Sequence, residues 1–274
     1  MMTNPPRLFD KVQIARNLAR RKDSANFVRD LVLDDLADRL SAYKRIFSKA
    51  ILIGPDAATL PEMLFTADGS IVVERVEAFA GEGMPVCGEG ECDLIVSLLQ
   101  LQCVDDVPGH LARLRRMLKP DGLLMAAFMG GESLTELREA FLAADIEVSG
   151  GASARVAPMA QVRDAGALLQ RAGFALPVAD VETHNVRYSS PFALMAELKA
   201  LGASNPLFDR PKRFATRSLI AGAVKAYAER DADPDGRVRA TLEIIWIAGW
   251  VPHESQQKPL RPGSATVSMK DVLG

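Results

Sequence analysis

The stretch DLIVSLLQLQCVDDVPGHLARLRRMLKPDGLLMAAFMG, residues 93–130, decides the fold. It begins with DLIVSLL and ends with GLLMAAFMG, and such continuous apolar runs are typical of strands buried on both faces. Between them Leu111, Leu114 and Leu118 repeat at helical spacing, and the following KPDG is a signal for a helix end and a turn. A strand, a helix and a second strand in this order predict a parallel sheet.

Further elements extend in both directions from this unit. Upstream, AILIG (50–54) and SIVVE (70–74) also read as buried strands, and residues 10–47 have a helical pattern. Downstream, a helix is predicted from Pro158 to Gly173, VADVETHNVRY alternates as a half-exposed strand does, and RVRATLEIIWIAGW can return beside it as an antiparallel strand. We therefore predict an α/β, doubly wound, mostly parallel sheet in a single domain, 1–274. Its parts are an N-terminal helical flank (1–48), a sheet core (49–190), a helical insertion (191–229) and a last strand with a tail (230–274).

Composition excludes several classes of function. The chain has 274 residues, of which 48% are hydrophobic and 25% charged, and its 33 basic and 35 acidic residues leave a net charge of -2. This balance argues against nucleic acid as a partner. Three cysteines show neither zinc-site spacing nor the density of a disulfide scaffold, so we expect a reducing, cytoplasmic compartment. No apolar run approaches the length of a transmembrane segment.

The segment ILIGPDAATL, residues 51–60, has the place of a nucleotide-binding turn, because a strand ends at Gly54 and a helix-like segment follows. Ligands of such sheets bind at the carboxyl ends of the strands. Glu74, 20 residues on, has the spacing of an acid that accepts hydrogen bonds from ribose hydroxyls, or it is an ordinary exposed acid. Glu82 could reach an adenine amino group, and Met84 and Leu98 could form apolar walls or simply belong to the core. The candidate cofactor residues are Gly54, Pro55, Asp56, Glu74, Glu82, Met84 and Leu98.

Other chemistries lack a local signature. His110, His184 and His253 are isolated in the sequence, so no metal site is predicted. Neither a GxSxG elbow nor a GxxxxGK[ST] cradle is present. No catalytic residue can be assigned from these patterns.

Four longer segments carry a resemblance to a known family: RLFDK, LKPDGLLMAAFMGGESLTELREAF, ARVAPMAQVRDAGALLQRAGFALPVAD and HESQQKPLRPGSA. They resemble the methyltransferase-like assembly factors of respiratory complex I (the assembly factor 5 group), which are similar to malonyl-carrier-protein methyltransferases. The resemblance covers about Arg7 to Gly274. It implies the class I S-adenosylmethionine-dependent methyltransferase fold, a seven-stranded sheet with an antiparallel last hairpin.

The resemblance also implies a function, the transfer of a methyl group from S-adenosylmethionine to an unidentified acceptor. The acceptor is expected near Gly130, Gly131 and Glu132, beneath the insertion at 191–229. A protein substrate or a subunit of a respiratory complex is the expected partner. The candidate contacts, each of which could instead be structural, are Glu132, Tyr188, Trp246 and His253.

Three departures from the family pattern fall at cofactor positions. A DLGxGxG-like motif is replaced by LIGPDAA, the acid of a DAEALPF-like word is replaced by Ala80, and an LHW word has become LQC at 101–103. Side chains in place of glycines limit the approach of backbone to a ligand, so weak or lost cofactor binding is expected. Two alternatives therefore stay open, an assembly factor that acts by protein binding and an iron-dependent arginine hydroxylase.

Overall fold

The computed structural model describes residues 7–22, 26–78 and 87–257. Seven strands and seven α-helices are described in these ranges. In chain order they are α1 (Lys11–Leu18), α2 (Phe27–Ser41), β1 (Ala50–Gly54), β2 (Met63–Thr66), β3 (Gly69–Glu77), β4 (Cys92–Leu98), α3 (Val107–Met117), β5 (Leu118–Met129), α4 (Thr135–Ser149), α5 (Val162–Arg171), β6 (Ala175–Tyr188), α6 (Pro191–Ala200), α7 (Arg217–Asp231) and β7 (Val238–Trp250).

The strands form one sheet in the order β2-β3-β1-β4-β5-β7-β6. The pairs β1–β3, β1–β4 and β4–β5 are parallel, whereas β7 runs antiparallel to both β5 and β6. Five strands (β3, β1, β4, β5 and β6) thus point one way, and β2 and β7 point the other. The predicted doubly wound, mostly parallel sheet with an antiparallel last hairpin is confirmed.

Alternate side chains of the central strands face two separate cores, as the two-residue period of a strand requires. Ile51 and Ile95 belong to the core that α3 and α5 cover, and Leu52 and Val96 belong to the core beneath α2. A third cluster joins α4, α6 and α7 to the ends of β6 and β7. Burial on both faces explains why β1, β4 and β5 are continuous apolar runs in the sequence.

The chain after β1 differs from the prediction. The expected helix is wrong: Ala57–Thr59 form a single 3-10 turn, and the chain then enters the hairpin β2–β3. Strand β3 was expected to end at Glu74 and to be buried on both faces, but it continues to Glu77 and Val72 is 72% exposed. The reason is that β3 pairs with the short edge strand β2, where only one face of the hairpin packs on α2.

Smaller differences concern helices and cysteines. Helix α4 was not predicted, and α5 begins at Val162 instead of Pro158. Cys87 and Cys92 form a disulfide that the cysteine spacing did not predict, and Cys103 is free. None of the helices in the described ranges has both the length and the apolar character that crossing a membrane requires.

Candidate functional site

The carboxyl ends of five strands meet at one edge of the sheet. Gly54 of β1 pairs with Glu77 of β3, and Leu98 and Met129 end the neighbouring β4 and β5. Tyr188 ends β6 at the same edge, because β6 runs parallel to β5 across the intervening β7. This edge is where ligands bind in open α/β sheets.

At the β1 end of this edge, the turn after Gly54 is held by the carboxylate of Glu77. The backbone amides of Asp56 and Ala57 donate to its two oxygens at 2.8 and 2.7 Å. Asp56 has left-handed backbone angles (φ 63°), which point these successive amides toward one anion. The side chain of Asp56 also pairs with Arg21 at 2.8 Å, so the turn is fixed to the end of α1.

The space above Gly54 is filled by the protein itself. A Cβ atom at this position would lie 3.1 Å from Cδ1 of Leu60 and 3.7 Å from Cβ of Leu98. Leu60 and Leu98 are both buried. The glycine that nucleotide-binding turns use for close approach of a ligand therefore serves here for close approach of Leu60.

A cavity of about 860 Å³ lies beside this turn, at the ends of β4, β5 and β6. Pro55, Leu99 and Met129 line it from the sheet, and helices α1, α4 and α6 form much of the remaining wall. Its volume is in the upper part of the range of about 300–1,000 Å³ that is usual for small-molecule sites. The edge is thus closed near β1 and open from β4 to β6.

Gln102, Cys103 and Tyr188 are among the polar side chains that line this cavity. Gln102 donates through Nε2 to the carbonyl of Leu99 at 2.8 Å, while its Oε1 is buried without a hydrogen-bond partner. Burial, together with the charge of Asp105, raises the pKa of the Cys103 thiol to about 12, so this side chain is a neutral thiol near pH 7. Burial and a hydrogen bond with Glu197 raise the pKa of Tyr188 above its ordinary value. All three side chains are therefore uncharged near pH 7, and the partnerless Oε1 of Gln102 is enclosed by the protein.

The structure brings some of the candidate cofactor residues together. Pro55 lines the cavity, Gly54 and Asp56 adjoin it in the turn, and Leu98 is buried against Gly54. Glu74 lies three residues before the end of β3, opposite Ile51 and exposed to solvent. Glu77 has the strand-end position that the sequence interpretation gave to Glu74. Glu82 and Met84 lie outside the described residues.

The candidate acceptor contacts are separated from one another. Tyr188 lines the cavity, whereas Glu132 is exposed and accepts from Gln161 at 3.3 Å. Trp246 is buried beneath α2, with the guanidinium of Arg39 4.8 Å from its ring centroid. His253 lies next to the start of β5, at the opposite edge of the sheet, because β7 ends there. The structure therefore does not bring these four residues together around one space.

Two residues of this edge were missed at the level of sequence. Glu77 was overlooked because VVERVE contains two acids, and spacing alone chose the first. Gln102 has no recognisable role in the sequence, since its partnerless carbonyl oxygen becomes apparent only in the folded chain. In residues 7–22, 26–78 and 87–257, no three His, Cys, Asp or Glu side chains are grouped as metal ligands.

Comparisons with known proteins found similar sequences and one similar fold. Residues 54–126 match the family model described as a methyltransferase domain. The mitochondrial arginine-hydroxylase NDUFAF5 of Danio rerio is 33% identical over 264 residues, which are 90% of this chain and 82% of that protein. The malonyl-[acyl-carrier protein] O-methyltransferase of Halorhodospira halophila is 39% identical over 158 residues, 58% of this chain and 52% of that enzyme. The YcgJ protein of Bacillus subtilis has 11% identity and a TM-score of 0.47 over 81% of this chain and 98% of that one.

Proposed function

This chain belongs to the methyltransferase-like family of the mitochondrial arginine-hydroxylase NDUFAF5, and from that premise we propose that it transfers a methyl group from S-adenosylmethionine to an acceptor in the edge cavity. The methyltransferase domain supports S-adenosylmethionine as the cofactor. The observation that carries the proposal is the position of the cavity, which adjoins the β1 turn and the ends of β4 and β5. Methyl transfer needs mainly the positioning of donor and acceptor, which such an enclosed space provides.

The residues around the turn fit this cofactor at two points. The cavity reaches Pro55 and supplies room beside the turn. The Glu77 carboxylate has about four lone-pair sites, and the amides of Asp56 and Ala57 use two of them, so acceptor sites remain for a ribose diol. When bound, the cofactor supplies an electrophilic methyl group on a sulfonium. Glu77 would hold its ribose.

The narrow turn predicts that cofactor binding is weak. Leu60 fills the space above Gly54, and the single turn Ala57–Thr59 replaces the helix whose N-terminal amides would otherwise face a ligand. This agrees with the loss of glycines in LIGPDAA.

Calorimetric titration with S-adenosylmethionine and with its demethylated product tests the proposal. We expect heat release for both and an increase in the melting temperature that grows with ligand concentration. Neither signal at millimolar ligand would overturn the methyltransferase proposal. A separate titration with adenosine, which lacks the sulfonium-bearing part, is the control. Tighter binding of S-adenosylmethionine than of adenosine shows that this part contributes to binding.

Arginine hydroxylation, with a role in the assembly of respiratory complex I, is the second candidate function. The observation that favours it is that the NDUFAF5 relatives of Danio rerio and Homo sapiens are arginine-hydroxylases and are similar over 90% of this chain. A gain of one oxygen atom by an arginine-containing peptide, dependent on added iron and a reductant, supports this candidate. A gain of one methyl group, dependent on S-adenosylmethionine, supports the first.

Membership of this family also bears on the partner and on the compartment of the protein. A subunit of a respiratory complex is the partner that the family suggests, and pull-down from cells with and without complex I tests it. The cytoplasmic location stays a prediction, since the relatives are named as mitochondrial proteins. The single-domain organisation of residues 1–274 also stays a prediction, which limited proteolysis can test.

A further inference from the structure

The charges in the cavity wall restrict the kind of molecule that it can hold. Among the described residues that line it, none is acidic and five are basic: Arg21, Arg29, Arg155, Lys199 and Arg213. A bound cation would find no carboxylate in this wall and would lie close to several positive charges. In the part of the cavity away from the β1 turn, where the acceptor is proposed to lie, the wall therefore favours a neutral or anionic molecule.

Two of the five basic groups are available to a ligand. Arg21, Arg29 and Arg155 already pair with carboxylates that lie outside the wall. Lys199 and Arg213 are exposed and have no acidic partner within ion-pair distance in the part of the chain that the structure describes. They supply free positive charge at the solvent side of the cavity.

The interior of the cavity is apolar. Phe27, Leu134, Leu137 and Leu198 are among its lining residues, and they come from α2, α4 and α6 and from the segment before α4. At the solvent side Phe214, next to Arg213, is fully exposed (102%), so an aromatic ring and a cation stand together there. An apolar space with a basic rim suits a molecule that has an apolar body and an anionic end.

From this arrangement we infer that the cavity binds an amphiphilic anion, an aliphatic chain that ends in a carboxylate. The chain lies in the apolar interior, and the carboxylate is held at the rim by Lys199 and Arg213. The inference rests on the proposed function in one respect, since the same cavity is taken to hold the acceptor. The binding itself requires no cofactor and can be measured alone.

Calorimetric titration of the full chain with hexanoate, octanoate and decanoate, below their micelle concentrations and without S-adenosylmethionine, tests the inference. Affinity should rise about fourfold for each added methylene group, because each one leaves water for an apolar wall. Decylammonium, which has the same chain and the opposite charge, should bind at least tenfold more weakly than decanoate. Equal or tighter binding of decylammonium, or affinity independent of chain length, would overturn the inference.

A double variant tests the place of the carboxylate. Lys199→Gln with Arg213→Gln should weaken decanoate binding several-fold at low salt and leave decanol binding unchanged, because decanol lacks the charge. The matched control is Lys225→Gln with Arg237→Gln, which also removes one lysine and one arginine charge. Both positions are exposed and do not line the cavity. Circular dichroism checks that both variants fold. An equal loss of decanoate and decanol binding would contradict the assignment of the head group.

Further measurements show where the aliphatic ligand comes from and whether its binding depends on the cofactor. Sedimentation with phosphatidylglycerol vesicles but not with phosphatidylcholine vesicles would indicate a chain taken from a bilayer. Decanoate binding without vesicle association would indicate a free or carrier-delivered acid. If decanoate binds and S-adenosylmethionine does not, the proposed methyl transfer fails and the inference of an amphiphilic anion stands. If S-adenosylmethionine binds and decanoate does not, the inference fails and the proposed methyl transfer stands.

Discussion

The two halves of the carboxyl edge differ in how the protein fills them. Around β1 and β3, Leu60 covers Gly54 and the Glu77 carboxylate binds the amides of its own turn. From β4 to β6, the same edge opens into a cavity of about 860 Å³. The first region is the expected cofactor half, and the second is the expected acceptor half. The protein thus leaves little space above the end of β1 and a large space from β4 to β6.

The acceptor half depends on a buried ion pair, and breaking it should have the largest effect. Asp145 is completely buried on α4 and binds Arg155 through two hydrogen bonds of 2.7 Å, which places Arg155 in the cavity wall. Asp145→Ala should lower the free energy of unfolding by about 3–5 kcal/mol, because it leaves Arg155 without its partner. Chemical denaturation measures this change.

Glu139→Ala is the matched control for this pair. Glu139 is also on α4, but it pairs with Arg230 at the surface, so its loss should cost at most about 1 kcal/mol. Equal costs for the two variants would show that the Asp145 pair does not support the cavity wall in the way described.

A second effect should appear on acidification. His110 on α3 is buried, and burial together with the nearby Arg113 lowers its pKa from 6.5 to about 4. The imidazole of His110 therefore binds a proton near pH 6.5 in the unfolded chain but only near pH 4 in the folded chain. The free energy of unfolding falls as the pH is lowered from 6.5 to 4. The contribution at pH 4 is about 3 kcal/mol.

The difference between wild type and His110→Gln isolates this contribution. We expect the variant to gain stability relative to wild type as pH falls from 6.5 to 4, as measured by urea denaturation. His253→Gln, at an exposed site on the opposite edge, should follow the wild-type profile. Parallel profiles for wild type and His110→Gln would contradict a neutral buried imidazole.

Substitution of Glu77 and of Glu74 tests which of these two acids holds the ribose of S-adenosylmethionine. Glu77→Ala removes a carboxylate that lies at the strand end, and we expect the affinity for S-adenosylmethionine to fall about 10- to 100-fold, the usual effect of losing hydrogen bonds to a charged group. Glu74→Ala changes an exposed acid in the middle of β3 and should leave the affinity within about twofold. Calorimetry measures both. The opposite ranking would return the ribose position to Glu74.

The sequence predicted the parts of this molecule that depend on burial. Continuous apolar runs revealed β1, β4 and β5 because these strands are buried on both faces. Strand β2 escaped detection, since MLFT is short, and β3 was recognised only as SIVVE, residues 70–74, without its last three residues. Glu77 and Glu74 could not be separated without knowing where β3 ends. The cavity could not be predicted at all, because its walls come from helices that are distant in the sequence.

Two glycines give the smallest and most direct test of the comparison. A Cβ on Gly130, at the acceptor half, would lie 2.1 Å from Oε1 of the buried Glu243, so Gly130→Ala forces this side chain and its surroundings to move. We expect a loss of about 1–3 kcal/mol in the free energy of unfolding. A Cβ on Gly54 has its tightest contacts with the flexible methyl groups of Leu60, at 3.1 and 3.3 Å, and an ordinary contact with Cβ of Leu98 at 3.7 Å, so Gly54→Ala should cost less than about 1 kcal/mol. Denaturation measures the free energy of unfolding of both variants. If Gly54→Ala lowers it more than Gly130→Ala does, contacts other than those with Leu60 require glycine at position 54.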